Sequence, residues 1–132
     1  MTALRDAKLF HGLPDKELKA IEKELKTISQ PAGHDIVVKG GSGVGFMILL
    51  EGSVTVTLAS GKQRKLVPGD SFGEMALLDH EGRSAGIRAD TEVTMATIPE
   101  WNFKSFLGQH PEVAYRLLTA LSQRVRQAEA GT

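Results

Sequence analysis

The residues with the clearest chemical capacity stand together in one run, Ser71-Phe72-Gly73-Glu74-Met75-Ala76-Leu77-Leu78-Asp79-His80-Glu81-Gly82-Arg83-Ser84-Ala85. A turn leads there into a short helical stretch that starts near Gly73. Free backbone N–H groups at a helix N-terminus point outward and favour an anion. Arg83 follows Glu74 after a short interval, and a guanidinium can grip a phosphate through two parallel hydrogen bonds. Ser84 and Ala85 are small enough to let an anion approach the backbone. Glu74 would repel a free phosphate, but it would accept hydrogen bonds from a sugar hydroxyl. A helix start, an arginine, a serine and a carboxylate therefore suit a ribose-phosphate. The alternative on the same residues is a structural ion pair between Glu74 and Arg83 in an ordinary loop.

Other stretches that invite chemistry fail on spacing. Gly40-Gly41-Ser42-Gly43-Val44-Gly45 is glycine-rich, but Phe46 stands where a phosphate loop needs Lys followed by Ser or Thr. Ser42 lacks the glycine two places on that a nucleophile elbow needs. The cluster also precedes a strand rather than a helix, so it reads as a turn. His11, His34, His80 and His110 are scattered, with no pair at the spacing that sets two imidazoles on one metal. They are expected at loops and helix ends. With no cysteine in the chain, thiolate metal sites, disulfides and cysteine nucleophiles are excluded. No catalytic residue, metal or cofactor is expected.

The elements that must position the run follow from periodicity. The first 25 residues read as helical, with Leu13-Pro14-Asp15-Lys16-Glu17 as a helix start and Leu18, Ile21 and Leu25 at helical spacing. From Lys26 to Ile98 the chain breaks into short β-branched runs separated by glycine-bearing turns. The expected strands are Lys26–Gln30, Asp35–Lys39, Phe46–Glu51, Ser53–Ala59, Lys62–Val67, Ala85–Ala89 and Val93–Ile98. Turns are expected at Pro31-Ala32-Gly33, Ser60-Gly61 and Pro68-Gly69-Asp70. Pro99-Glu100 opens a helix that Gly108 can close, and Pro111 opens another. On that last helix Val113, Leu117, Leu121 and Val125 form a stripe, widened by Ala114 and Leu118. The stripe packs on the β-domain's own helices, or part of it pairs with a second subunit or a downstream effector. Only Ala128–Thr132 look frayed.

Composition sets the outer bounds. With 132 residues, 41% of them hydrophobic and 24% charged, the chain suits one compact domain over 1–132. Its helices are expected at about 2–25 and 99–129, with the β-domain at about 26–98. Sixteen basic residues balance sixteen acidic ones, which removes the basic excess expected of a nucleic-acid binder. A local basic pocket for one small anion remains compatible with that balance. The N-terminus lacks the apolar run of a signal peptide, and the longest apolar run, Phe46 to Leu50, is too short to span a bilayer. A cytoplasmic location with no membrane partner is expected.

The run from Phe72 to Ala85 resembles the phosphate-binding cassette of the cyclic-nucleotide-binding domain family. Phe72-Gly73-Glu74-Met75-Ala76-Leu77 and Arg83-Ser84-Ala85 meet that pattern in order, with Gly82 where the family often has proline. The likeness extends to Gly41–Gly52, to the Pro68-Gly69-Asp70 turn, to Ala85-Gly86-Ile87-Arg88-Ala89, and to Phe103 and the helix from Pro111. It covers about residues 4–127.

The resemblance implies an α+β, mainly β fold: an antiparallel, jelly-roll-like β-roll flanked by N-terminal and C-terminal helices. It implies a sensor or regulatory module rather than an enzyme. Its ligand would be cyclic AMP, with cyclic GMP less favoured because the Arg-Ser-Ala order is similar to the bacterial catabolite activator branch. Glu74 would bind the ribose 2′-hydroxyl and Arg83 the cyclic phosphate. Ser84 and the backbone around Gly73, Glu74 and Ala85 would complete the cradle, with Phe72, Met75 and Ala76 beside it. The C-terminal helices would close over the pocket and carry the signal. The rival readings are a domain of this fold that binds no nucleotide and serves protein interaction, a cupin-type enzyme, and a DNA-binding regulator. The absent histidine cluster opposes the enzyme. Neutral charge and the lack of a recognition-helix pattern before Thr132 oppose the DNA binder.

Overall fold

In the computed structural model the described residues are 2–37, 45–57, 61–72 and 86–130. Two four-stranded antiparallel sheets form a β-roll, and helices cover one of them. The first sheet has the order β1-β8-β3-β6, from β1 (Lys26–Gln30), β3 (Gly45–Glu51), β6 (Ser71–Phe72) and β8 (Val93–Pro99). The second has the order β2-β7-β4-β5, from β2 (Asp35–Val37), β4 (Val54–Thr57), β5 (Gln63–Leu66) and β7 (Gly86–Ala89). The helices are α1 (Thr2–Arg5), α2 (Asp15–Glu24), α3 (Glu100–Gln109) and α4 (Pro111–Ala130).

Strand β3 explains how one chain builds two cores. Side chains alternate across a strand, so Phe46, Ile48 and Leu50 face the helices while Met47 and Leu49 face the roll interior. Both faces are buried, and such a strand reads as an unbroken apolar run. Its neighbour β8 divides in the same way. Val93 and Met95 turn inward, and Ala96 and Ile98 turn toward the helices. Thr97 is buried as well, and its hydroxyl donates to the Phe46 carbonyl at 3.2 Å. After β3 the backbone needs Gly52. Its φ is +88°, and a Cβ there would lie 2.4 Å from the Glu92 carbonyl oxygen.

The roll interior gathers Met47, Leu49, Val54, Val56, Leu66, Phe72, Ile87, Ala89, Val93 and Met95. The helix layer gathers Leu4, Phe10, Leu18, Ile21, Phe103, Phe106, Val113 and Leu117 over the outer face of the first sheet. Within the helix layer, Phe46 of β3 meets Phe103 of α3 in a tilted ring contact at 5.5 Å between centroids.

The architecture is the expected one, with differences at particular elements. Residues 6–14 are successive turns rather than helix, closed by bonds such as Phe10 N–H to the Ala7 carbonyl at 3.0 Å. Leu9, Phe10 and Leu13 are buried there, which mimics helical spacing. Gly12 at φ +79° and Pro14 end any continuous helix. Gly108 lies inside α3 and does not close it; the helix runs to Gln109 and His110 forms its cap. At its far end α4 continues to Ala130, past the expected fraying point at Ala128. The short strand β6 was not expected as a strand.

Candidate functional site

The run singled out in the sequence enters from the first sheet and leaves through the second. On the entry side, β6 pairs with β3 as Ile48↔Ser71 and Met47↔Phe72. The turn before it is fastened to the same strand. Gly69 N–H donates to the Leu49 carbonyl at 2.8 Å, and Leu49 N–H donates to the Asp70 carbonyl at 2.9 Å. Asp70 closes the turn itself by accepting the Val67 N–H at 2.9 Å through Oδ2. Phe72 is 4% exposed and belongs to the roll interior, so the last described residue on the entry side of the run is anchored by apolar burial.

On the exit side, β7 lies between β2 and β4. Its register is Thr57↔Gly86, Val56↔Ile87 and Thr55↔Arg88. Arg88 Nε donates to the Gly33 carbonyl at 3.1 Å and pairs with Asp35 at 3.3 Å. Just beyond, the Thr55 hydroxyl donates to Asp90 at 2.8 Å. The strands that flank the run are thus hydrogen-bonded into the sheets on both sides. Of the expected ligand-binding residues, Phe72 is described; Gly73, Glu74, Met75, Ala76, Arg83, Ser84 and Ala85 lie outside the described residues, as do His80 and Gly40–Val44.

A cleft of about 300 Å³ opens beside the entry strand, between α4 and the roll. Its walls include Lys8, Arg64, Lys65, Asp70, Ser71 and Arg124. Four cations against one carboxylate make it locally basic in a chain of zero net charge. Lys8 is paired with Asp70. Among the described residues no group of three or more His, Asp or Glu is placed to hold a metal ion.

Sequence reasoning missed the contacts that tie the N-terminal turns to both the entry strand and the last helix. Lys8 N–H donates to the Gly69 carbonyl at 3.2 Å, next to β6. One residue on, the Leu9 carbonyl accepts from Arg116 Nη1 at 3.1 Å, and the His11 carbonyl accepts from the same nitrogen at 2.6 Å. Arg116 also pairs with Glu112 at 3.3 Å. His110 was expected at a helix end, and it is there, but it is buried against Glu24 and Glu17 of α2. No local signal could reveal these contacts, because the partners are far apart in the chain. The apolar stripe on α4 divides. Val113 and Leu117 are buried and Leu121 is half-buried in the helix layer, whereas Leu118 and Val125 are exposed. One further pair, Arg5 with Asp15, lies on the exposed surface. Its hydrogen bond holds the Asp15 carboxyl below the usual carboxylate range and the Arg5 guanidinium above its own.

The sequence model of the cyclic nucleotide-binding domain matches residues 27–110. The chain belongs to that family. The match runs from β1 across both sheets, includes the whole Phe72–Ala85 run, and ends at the joint between α3 and α4. Among curated relatives, a CRP-like cAMP-activated global transcriptional regulator of Mycobacterium tuberculosis is 27% identical over 129 residues. That alignment covers 94% of this chain and 58% of the relative. A cAMP-dependent protein kinase regulatory subunit of Emericella nidulans is 36% identical over 107 residues, 80% of this chain and 26% of that protein. The crystal structure of the Thermus thermophilus catabolite activator protein superposes with a TM-score of 0.83 at 30% identity, covering 93% of this chain and 60% of that one. The chain therefore spans a little over half of the bacterial regulators it matches. Its fold is that of a regulatory domain. Among the described residues no helix is long and apolar enough to cross a membrane.

Proposed function

We propose that this cyclic nucleotide-binding domain takes up cyclic AMP, in preference to cyclic GMP, and relays occupancy through α3 and α4. The observation that carries the reading is the Phe72–Ala85 run inside the family match, spelling Phe-Gly-Glu-Met-Ala-Leu and then Arg-Ser-Ala. In this reading Glu74 accepts from the ribose 2′-hydroxyl. Arg83 grips the cyclic phosphate, and Ser84 and the amides of Gly73, Glu74 and Ala85 complete the cradle. Phe72, Met75 and Ala76 border it.

The basic cleft beside Ser71 supports the reading. Its volume is in the range of small-molecule pockets, and its positive lining suits an anion. The relatives' printed names support cyclic AMP as the class. The relay draws on two facts: α4 forms one wall of the cleft and is tied to the entry strand through residues 8–11. A ligand shifts such an element only by its differential affinity for two helix positions. The exposed Leu118 and Val125 are a partner face for a second copy or a downstream effector. The reading is of a single domain over 1–132, cytoplasmic, without catalysis, metal or cofactor, and without direct nucleic-acid or membrane contact.

Calorimetric titration with cyclic AMP and cyclic GMP, side by side, tests this. One-to-one binding of cyclic AMP at the lower Kd is expected. Arg83→Ala should lower affinity by about 100-fold, since charge-assisted bidentate contacts contribute roughly 2–4 kcal/mol. Glu74→Ala should cost less and should blunt discrimination against 2′-deoxy analogues. Absence of heat and of thermal shift at millimolar nucleotide would overturn the reading.

A further inference from the structure

The joint between α3 and α4 contains an imidazole that water barely reaches. His110 is 6% exposed and lies against Phe106, with 4.8 Å between ring centroids. Its Nε2 is 2.8 Å from Glu24 Oε2, and its Nδ1 is 3.5 Å from Glu17 Oε1. Both carboxylates belong to α2. The backbone of the same residue serves the other two helices. Its N–H donates to the Phe106 carbonyl of α3 at 3.0 Å, and its carbonyl accepts from Ala114 N–H of α4 at 3.1 Å. One residue thus ends α3, starts α4 and faces α2.

A count of donors separates two states of this joint. A neutral imidazole has one N–H and one lone pair, whereas the imidazolium has an N–H at each nitrogen. Here each nitrogen faces its own carboxylate. The charged ring donates to Glu24 at 2.8 Å and forms an ion pair with Glu17 at 3.5 Å. The neutral ring that donates to Glu24 directs its lone pair at Glu17. Among the described residues these two glutamates are the charged groups paired with the ring. On the α3 side it meets Phe106. On α4, Glu112 is engaged with Arg116 at 3.3 Å, and Arg116 with the Leu9 and His11 carbonyls.

We propose that His110 is a proton-operated positioning residue: charged, it clasps α2 through both glutamates and holds the α3–α4 joint down, and neutral, it releases one of them and loosens the joint. The inference goes beyond nucleotide binding and does not need it. It gives α3 and α4 a second input, the protonation state of one buried imidazole held between two carboxylates. Arg116 keeps α4 attached to the N-terminal turns in either state, through the Leu9 and His11 carbonyls. The sign is fixed by the geometry: the hold is strongest at low pH and weakens as pH rises.

The test uses the full chain without nucleotide. Amide hydrogen exchange, corrected for its intrinsic pH dependence, is measured over α2 and the start of α4 at pH 6 and pH 8. In the wild type the exchange of these segments should be about tenfold faster at pH 8, the effect of losing one charge-assisted contact. His110→Gln, which can donate but does not titrate, should abolish that difference. Glu17→Gln and Glu24→Gln, taken one at a time, should each reduce it, and they carry the test if His110→Gln does not fold. Equal exchange at the two pH values in the wild type would overturn the proposal. So would a full pH difference retained in His110→Gln, or in both glutamate variants. Because no nucleotide is present, failure of the cyclic AMP reading leaves this result untouched.

Discussion

The roll interior and the helix layer share strand β3 but are held by different means. Inside the roll, ten apolar residues among those described, with Phe72 as the aromatic, sit between two sheets paired by antiparallel ladders. In the helix layer the aromatic rings Phe10, Phe46, Phe103 and Phe106 carry the packing. There the helices are fixed in place by a few polar contacts, His110 to α2 and Arg116 to the N-terminal turns. A ladder of backbone bonds has no cheap alternative arrangement. Two or three side-chain contacts do, because each can be released for the cost of one hydrogen bond. The roll is therefore held by many backbone bonds, whereas the helices rest on apolar packing and a few polar ties.

The largest test of that contrast is a matched pair of truncations. Leu49→Ala in the roll should cost about 2–5 kcal/mol and Phe106→Ala in the helix layer about 3–5 kcal/mol. The distinction lies in how the loss is expressed. Urea unfolding of the Leu49 variant should stay a single transition at a lower midpoint. The Phe106 variant should open α3 and α4 first, seen as faster hydrogen exchange there while β3, β4 and β8 stay protected. Protection lost equally in both regions would break the comparison.

A smaller effect is expected at Arg116. Arg116→Ala leaves the Leu9 and His11 carbonyls without that donor and should cost about 1–3 kcal/mol. Arg116→Lys should recover only part of this, because a single ammonium replaces a planar fork. Thermal melting of the two variants measures it. The smallest effect sharpens the contrast from outside both layers. Asp15 pairs with Arg5 on the surface, and its depressed carboxyl favours the folded state above the ordinary carboxylate range, a contribution lost as pH falls through the depressed value. The pair is exposed, so Asp15→Asn should leave the Tm at pH 7 unchanged within error, and added salt should erase any residue of an effect.

Much of the roll was legible because strands announce themselves by alternation and by the turns between them. Lys26–Gln30 is found with its expected bounds, and the turn at Pro31-Ala32-Gly33 is closed by His34 N–H to the Pro31 carbonyl at 3.3 Å. Strand β6 was hidden because two residues cannot display a period. Residues 6–14 misled because buried side chains at helical intervals can also sit on consecutive turns. The α4 stripe was correctly placed as apolar, but a stripe does not say where its cover ends; the cover stops after Leu121, and Val125 is left in solvent. His110 and Arg116 were illegible because long-range polar contacts leave no local pattern. The site itself was read from residue types and from resemblance. Of that reading, the anchoring of Phe72 and the paired strands at each mouth are what the fold adds.

Strand β3 has one more consequence, for heritable variation. From Phe46 to Leu50 every side chain is at most 5% exposed. Neither parity of the strand offers a surface position, so a codon change there reaches one core or the other. Strand β5 is the opposite case, with Gln63, Arg64 and Lys65 all exposed and only Leu66 buried. A saturation library of this chain should thus show five adjacent positions that reject polar and charged replacements, and three in β5, at the edge of the other sheet, that fold with nearly any. Variation tolerated by the fold has to enter at exposed positions, since the strand joining the two cores leaves it no room.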